Sequence, residues 1–98
     1  MSPKIFVDRQ KIAEFCRKHH ILKLALFGSV LREDFGPDSD VDILVEFEKA
    51  HIPGFAFFSL QTELSEILGR KVDLHTPHFL SRYFRDQVIA TSQVQYAA

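Results

Sequence analysis

The 98-residue chain has no tryptophan, a single cysteine and no surplus of charge of either sign. Each scarcity excludes something. With Cys16 alone, an internal disulfide is ruled out and a reducing compartment is indicated. A formal net charge of −1 speaks against holding nucleic acid by bulk phosphate neutralisation, which needs a clustered basic face. A local patch stays open, since net charge says nothing of distribution. No apolar stretch approaches the ~20 residues of a membrane helix. Met1 to Val7 lacks the basic start and long apolar run of a signal peptide. Repeats, low-complexity tracts and linkers are missing as well. The expectation is a soluble, cytoplasmic protein without membrane or direct nucleic-acid contacts, folded as one domain over residues 1–98. A domain of this size buries roughly 60–70% of its unfolded surface and has little material left for a large substrate cavity.

What the chain has in abundance is phenylalanine, ten residues against two tyrosines. Phe carries apolar area with no polar handle. Ten of them either fill a dense core or spill onto a surface that binds something.

Periodicity and punctuation divide the chain. Asp8 caps a helix whose apolar positions Ile12, Phe15 and Cys16 recur at helical spacing, and Arg17 to His20 suit its negative end. Packing is the preferred role for Cys16. Residues 21–27 read as a buried strand, and a short helix follows Gly28-Ser29 through Arg32. Gly36-Pro37 signals a turn. Residues 41–47, rich in Val and Ile, are the strongest strand. Phe57, Leu60, Leu64, Ile67 and Leu68 form one helical face, with Gln61, Glu63 and Glu66 opposite and Gly69 as the stop. Residues 71–76 make another strand. Leu80, Phe84 and Val88, with Phe79 and Tyr83 beside them, predict a last helix. The alternation indicates an α/β fold, a small mixed sheet with flanking helices. Strands 21–27 and 41–47 are expected to be antiparallel neighbours, and the helical crossover permits 41–47 and 71–76 to be parallel.

The chemistry concentrates between Gly28 and Asp42. Asp40 and Asp42, two apart on a strand, point to the same face, where two carboxylates repel unless a cation sits between them. Val41, Ile43, Val45 and Phe47 form an apolar opposite face. Taken alone, the acidic pair suits a solvated turn better than a cation site. Gly28-Ser29 shifts the balance. Such a turn exposes backbone N–H groups to a phosphate, Gly28 permits close approach and Ser29 can donate a hydrogen bond. A plain helix cap is the alternative for Ser29. A third acid, Asp73, lies in an apolar strand. It is either an outward-facing residue or a partner of the first two. Three carboxylates on one face could hold two metal ions ~3.5–4 Å apart and drive an in-line phosphoryl displacement. Arg32 suits a phosphate or a pairing with Asp34 or Asp38, and Asp34 itself suits the turn. Five histidines invite a zinc reading. His19 and His20 are adjacent on a helix, however, and His75 and His78 straddle a proline, so surface or capping roles are preferred.

At this point the chain resembles the minimal nucleotidyltransferases of the DNA polymerase β-like superfamily. Gly28-Ser29, Arg32, Asp34 and Ser39-Asp40-Val41-Asp42-Ile43-Leu44-Val45 match the family motif. Leu68-Gly69-Arg70-Lys71-Val72-Asp73-Leu74 resembles its third-acid segment, and no motif position departs from the pattern. The resemblance covers roughly residues 20–90. It implies a polymerase β-like nucleotidyltransferase fold, Mg²⁺ (two ions) and ATP as co-substrate. By resemblance, Asp40, Asp42 and Asp73 are the catalytic metal ligands, and Gly28 and Ser29 cradle the triphosphate; Arg32 joins the expected nucleotide-binding residues on its own chemistry. It also implies a partner, a HEPN-type toxin that the family's members adenylylate as antitoxins, usually on tyrosine.

Two other readings stand beside this one. The chain could neutralise a toxin by covering it, with Phe55 and Phe58 as the contact surface. It could instead modify a small molecule, against which the lack of any acceptor-binding domain weighs.

Overall fold

The computed structural model describes residues 5–32, 35–36, 39–49, 54, 56–77, 80, 83 and 85–98. Asp34, Pro37, Asp38, Phe55, His78, Phe79 and Phe84, singled out above, lie outside the described residues.

The first helix, α1 (Arg9–Lys18), starts where the Asp8 carboxylate accepts hydrogen bonds from the backbone N–H groups of Gln10 and Lys11, at 3.1 and 3.2 Å. That satisfies two of the four donors a helix start leaves open and sets negative charge at the positive end of the dipole. Ile12, Phe15 and Cys16 are buried beneath it. Burial pushes the Cys16 thiol up to about 12, which makes it an inert packing group. His20, at φ 58, turns the chain into strand β1 (Ile21–Phe27).

A four-residue 3₁₀ turn (Gly28–Leu31) stands where a short helix was expected. Strand β2 (Val41–Phe47) follows, then helix α2 (Ala56–Leu68), ended by Gly69 at φ 66. Only glycine adopts that left-handed conformation without strain. Strand β3 (Val72–His75), helix α3 (Arg85–Thr91) and strand β4 (Gln93–Ala97) complete the chain.

The sheet runs β3-β2-β1-β4. β1 is antiparallel to both β2 and β4, and β2 is parallel to β3. One face of the sheet carries Leu24, Leu26, Val41, Ile43, Val45, Val72 and Leu74. It closes on Ile12, Phe15 and Cys16 of α1 and Leu60 and Leu64 of α2. Each such aliphatic side chain contributes about 1.5–3 kcal/mol on burial, so this apolar set decides which face the helices cover. Glu63 of α2 ties the two helices together, receiving Lys18 Nζ and His19 Nε2 at 3.2 Å each. By strand alternation Phe27, Asp42, Leu44, Asp73 and His75 occupy the other face.

The end of the chain differs from the sequence expectation. Leu80 is buried, but it precedes α3, and Tyr83 is 88% exposed. The helix is shorter than the Leu80–Val88 spacing predicts and has no buried residue. β4 was not expected at all. Its pattern Gln93-Val94-Gln95-Tyr96 alternates polar and apolar, but it becomes a strand only because the β1 edge is there to pair with it. No described helix is long and apolar enough to cross a membrane.

Candidate active site

The site is assembled at the ends of three neighbouring strands. Register brings Asp42 opposite Phe27 on β1 and opposite Asp73 on β3. Two residues along β3, His75 projects to the same face. Asp42, Asp73 and His75 each offer one ligand atom, and these atoms lie within 4.8 Å of one another. The His75 Nε2 is 3.5 Å from Asp42 Oδ1 and 3.3 Å from Asp73 Oδ2. Neither approach is aligned as a hydrogen bond, and the Nε2 atom is shut off from solvent with no other partner. The polar contact with Asp42, reinforced by the charges of Asp73 and Asp42, raises the imidazole above its ordinary pKa despite the opposing effect of partial burial. The Phe27 ring meets the imidazole edge-on, with centroids 5.2 Å apart, and limits its rotation.

Gly28 has φ +76, and a Cβ placed on it would lie 2.5 Å from Asp42 Oδ2. The missing side chain thus makes room for a carboxylate of the site itself. From the sequence alone that space suits an approaching phosphate. Ser29 lies inside the 3₁₀ turn. The turn's N-cap is Phe27, with no side-chain cap hydrogen bond, so Ser29 is not a helix cap. Arg32 ends the turn. Beside it opens a cleft of about 340 Å³, lined by Phe27, Gly28, Leu31 and Arg32 on one side and by Gln87, Val88 and Thr91 of α3 on the other.

Three side chains outside the cluster hold it in place. The backbone N–H groups of Val72 and Leu74 donate to Ser65 Oγ (3.1 Å) and Gln61 Oε1 (2.9 Å) on α2. Since β3 is an edge strand, those donors would otherwise face water or another chain. Gln61, expected on the polar side of α2, reaches the sheet. Arg70 donates through Nη2 to the carbonyls of Gly36 (2.6 Å) and Ser39 (3.3 Å), and its guanidinium lies 4.6 Å from the centre of the Phe35 ring. It thereby secures the segment that leads into Asp40.

A sequence profile described as "Polymerase beta, Nucleotidyltransferase" matches residues 10–97. The chain belongs to this nucleotidyltransferase family. A Methanocaldococcus jannaschii relative named "Putative protein adenylyltransferase" is 44% identical over 75 residues, which are 67% of this chain and 75% of that protein. Among solved structures, a toxin–antitoxin crystal structure with AMP-PNP superposes with a TM-score of 0.74 at 23% identity, covering 94% of this chain and 75% of that one. A tri-AMPylated Shewanella oneidensis HEPN toxin in complex with its MNT antitoxin gives a TM-score of 0.66 at 24% identity, over 92% and 70% of the two chains. These structural likenesses speak for the fold.

For this nucleotidyltransferase the fold brings Asp42 and Asp73 together, with Gly28 against Asp42. Asp40 stands one residue before β2, and its Oδ2 comes to 4.0 Å from Lys71 Nζ. It is not in the group whose ligand atoms lie within 4.8 Å of one another. His75, expected in a surface or capping role, belongs to the site. The signal was available. Asp73-x-His75 on a strand obeys the same two-residue rule that joined Asp40 to Asp42. Phe57 packs against the core, while Phe58 is 69% exposed.

Proposed function

We propose that the protein transfers AMP from ATP to a tyrosine hydroxyl of a HEPN-type toxin and thereby acts as its antitoxin. The observation that carries this reading is the register match of Asp42 with Asp73 beside Gly28, within a family of nucleotidyltransferases. Names of relatives as protein adenylyltransferases and the likeness to toxin–antitoxin structures support it.

The donor set fits a divalent cation. Two carboxylates and an otherwise unpartnered ring nitrogen converge on one point, and such groups are costly to leave together without a positive charge between them. In the proposal Asp40, Asp42 and Asp73 hold Mg²⁺, two ions in all, which supply Lewis-acid charge to the phosphate oxygens when bound. Gly28, Ser29 and Arg32 receive the triphosphate, and the adjoining cleft takes the nucleoside. The acceptor oxygen bonds to the α-phosphorus, the bond from that phosphorus to the α–β bridging oxygen breaks, and pyrophosphate departs with the electron pair. Asp73, 53% exposed at the outer side of the site, accepts the hydroxyl proton. Phe58, exposed at the start of α2, contacts the toxin. Phe55 is proposed as its companion on sequence grounds.

The test is incubation with labelled ATP, Mg²⁺ and a HEPN protein encoded beside this one, repeated with Asp42→Ala. Label should appear on the partner and vanish with the variant. Protection of cells by Asp42→Ala equal to wild type would sink the catalytic reading and favour neutralisation by binding alone. Label on a small molecule and none on the protein would favour the third reading.

A further inference from the structure

We infer that His75 is a direct ligand to the site's cation, and that the Asp42–Asp73–His75 set therefore binds first-row divalent ions such as Mn²⁺ more tightly than Mg²⁺ in the absence of nucleotide. The inference rests on the nucleotidyltransferase reading of the site and adds a nitrogen ligand to it.

The geometry points there first. Ligand atoms sharing one ion at bond lengths of about 2.0–2.1 Å stand about 2.8–3.4 Å apart, whether octahedral or tetrahedral. Nε2 already lies 3.3 Å from Asp73 Oδ2 and 3.5 Å from Asp42 Oδ1. Only a small closure of the two carboxylates, all three atoms being within 4.8 Å, completes the set.

The orphaned nitrogen is the second observation. Nε2 is sealed from solvent and has no aligned hydrogen-bond partner, so it points at two carboxylates with nothing between. A bound ion satisfies all three groups at once. The third observation is rigidity. Phe27 packs edge-on against the ring. The strand beneath is secured at Leu74 by Gln61 and paired to β2 at His75 itself, opposite Leu44. A ligand held by its own strand loses little freedom on binding.

The ligand chemistry then sets the choice of ion. Mg²⁺ demands oxygen ligands, whereas first-row divalent ions accept an imidazole nitrogen, Mn²⁺ least strongly and Co²⁺ and Zn²⁺ more so. One nitrogen among two carboxylates therefore tilts the site from Mg²⁺ toward these ions. It also gives three protein ligands before any triphosphate arrives.

The test uses the full chain without nucleotide. Free Mn²⁺, counted by electron paramagnetic resonance, should be taken up by wild type, with at least tenfold weaker uptake by His75→Val. Mg²⁺ competition should differ between the two proteins by less than about twofold. Because a variant can alter the fold, the wild type is read independently. Zn²⁺ should shift the ¹⁵N resonance of the His75 Nε2 by far more than that of His20. Equal Mn²⁺ affinity in wild type and His75→Val, or an Nε2 resonance that Zn²⁺ leaves in place, overturns the inference. Either result alongside intact AMP transfer removes the histidine ligand alone. His75-dependent Mn²⁺ uptake without AMP transfer to any partner would instead remove the proposed function and keep the ion site.

Discussion

Gly28 and Asp42 share one space, since a Cβ on residue 28 would lie 2.5 Å from Asp42 Oδ2. Backbone at the end of one strand and a carboxylate on the next are fitted to each other. Gly28→Ala should therefore displace the carboxylate and also force a side chain into φ +76, at about 1–3 kcal/mol. Denaturant unfolding should report that loss, and AMP transfer should fall by more than the change in folded fraction explains.

Arg70 secures the approach to the acids through two carbonyls and the Phe35 ring. Its planar fork does both jobs, and a lysine cannot. Arg70→Lys should lower kcat with little effect on the Kd of ATP, and Arg70→Ala should in addition cost about 1–3 kcal/mol of stability. Matching kcat values for Arg70→Lys and wild type would remove the positioning role.

Gln61 satisfies the Leu74 N–H on the outer edge of β3. Gln61→Leu leaves that donor without its acceptor, a loss of about 1–3 kcal/mol. Hydrogen exchange at Leu74 should accelerate in the variant before exchange in β1 does, because β3 lies at the sheet edge.

Glu63 carries the acid dependence of the α1–α2 contact. Burial would raise its pKa, but Lys18 and His19 together hold it below the usual 4.5. A depressed carboxyl contributes stability above its unfolded pKa and loses it as pH falls through the folded one. Glu63→Gln should thus be less stable than wild type at neutral pH, by no more than about 1 kcal/mol for so exposed a pair. The gap should close as pH drops below 4.5, which paired urea titrations would check.

Phe58 is 69% exposed, so Phe58→Ser should leave the unfolding free energy within about 0.5 kcal/mol. If it contacts the toxin, the complex should weaken by at least ~1 kcal/mol, about fivefold. Unchanged affinity would place the interface elsewhere.

Much of the fold was legible because it depends on neighbours in sequence. Asp8 as cap, β1 and β2, and Gly69 as helix stop are local signals, and each stands where its residues predict. The strand directions followed from connection lengths. The unforeseen parts depend on distant partners. β4 pairs with β1 across some seventy residues of chain, and nothing near Gln93 announces an edge to join. α3 begins at Arg85 although the apolar spacing predicts it from Leu80.

By itself the sequence determined which acids exist, their spacing along the chain and the break in the chain at Gly28-Ser29. The tertiary structure alone decided which of these groups meet. In a sheet a one-residue step sends a side chain to the opposite face, so the β2–β3 register set Asp42 against Asp73 and carried His75 in with them. Asp40, one residue ahead of β2, came out beside Lys71.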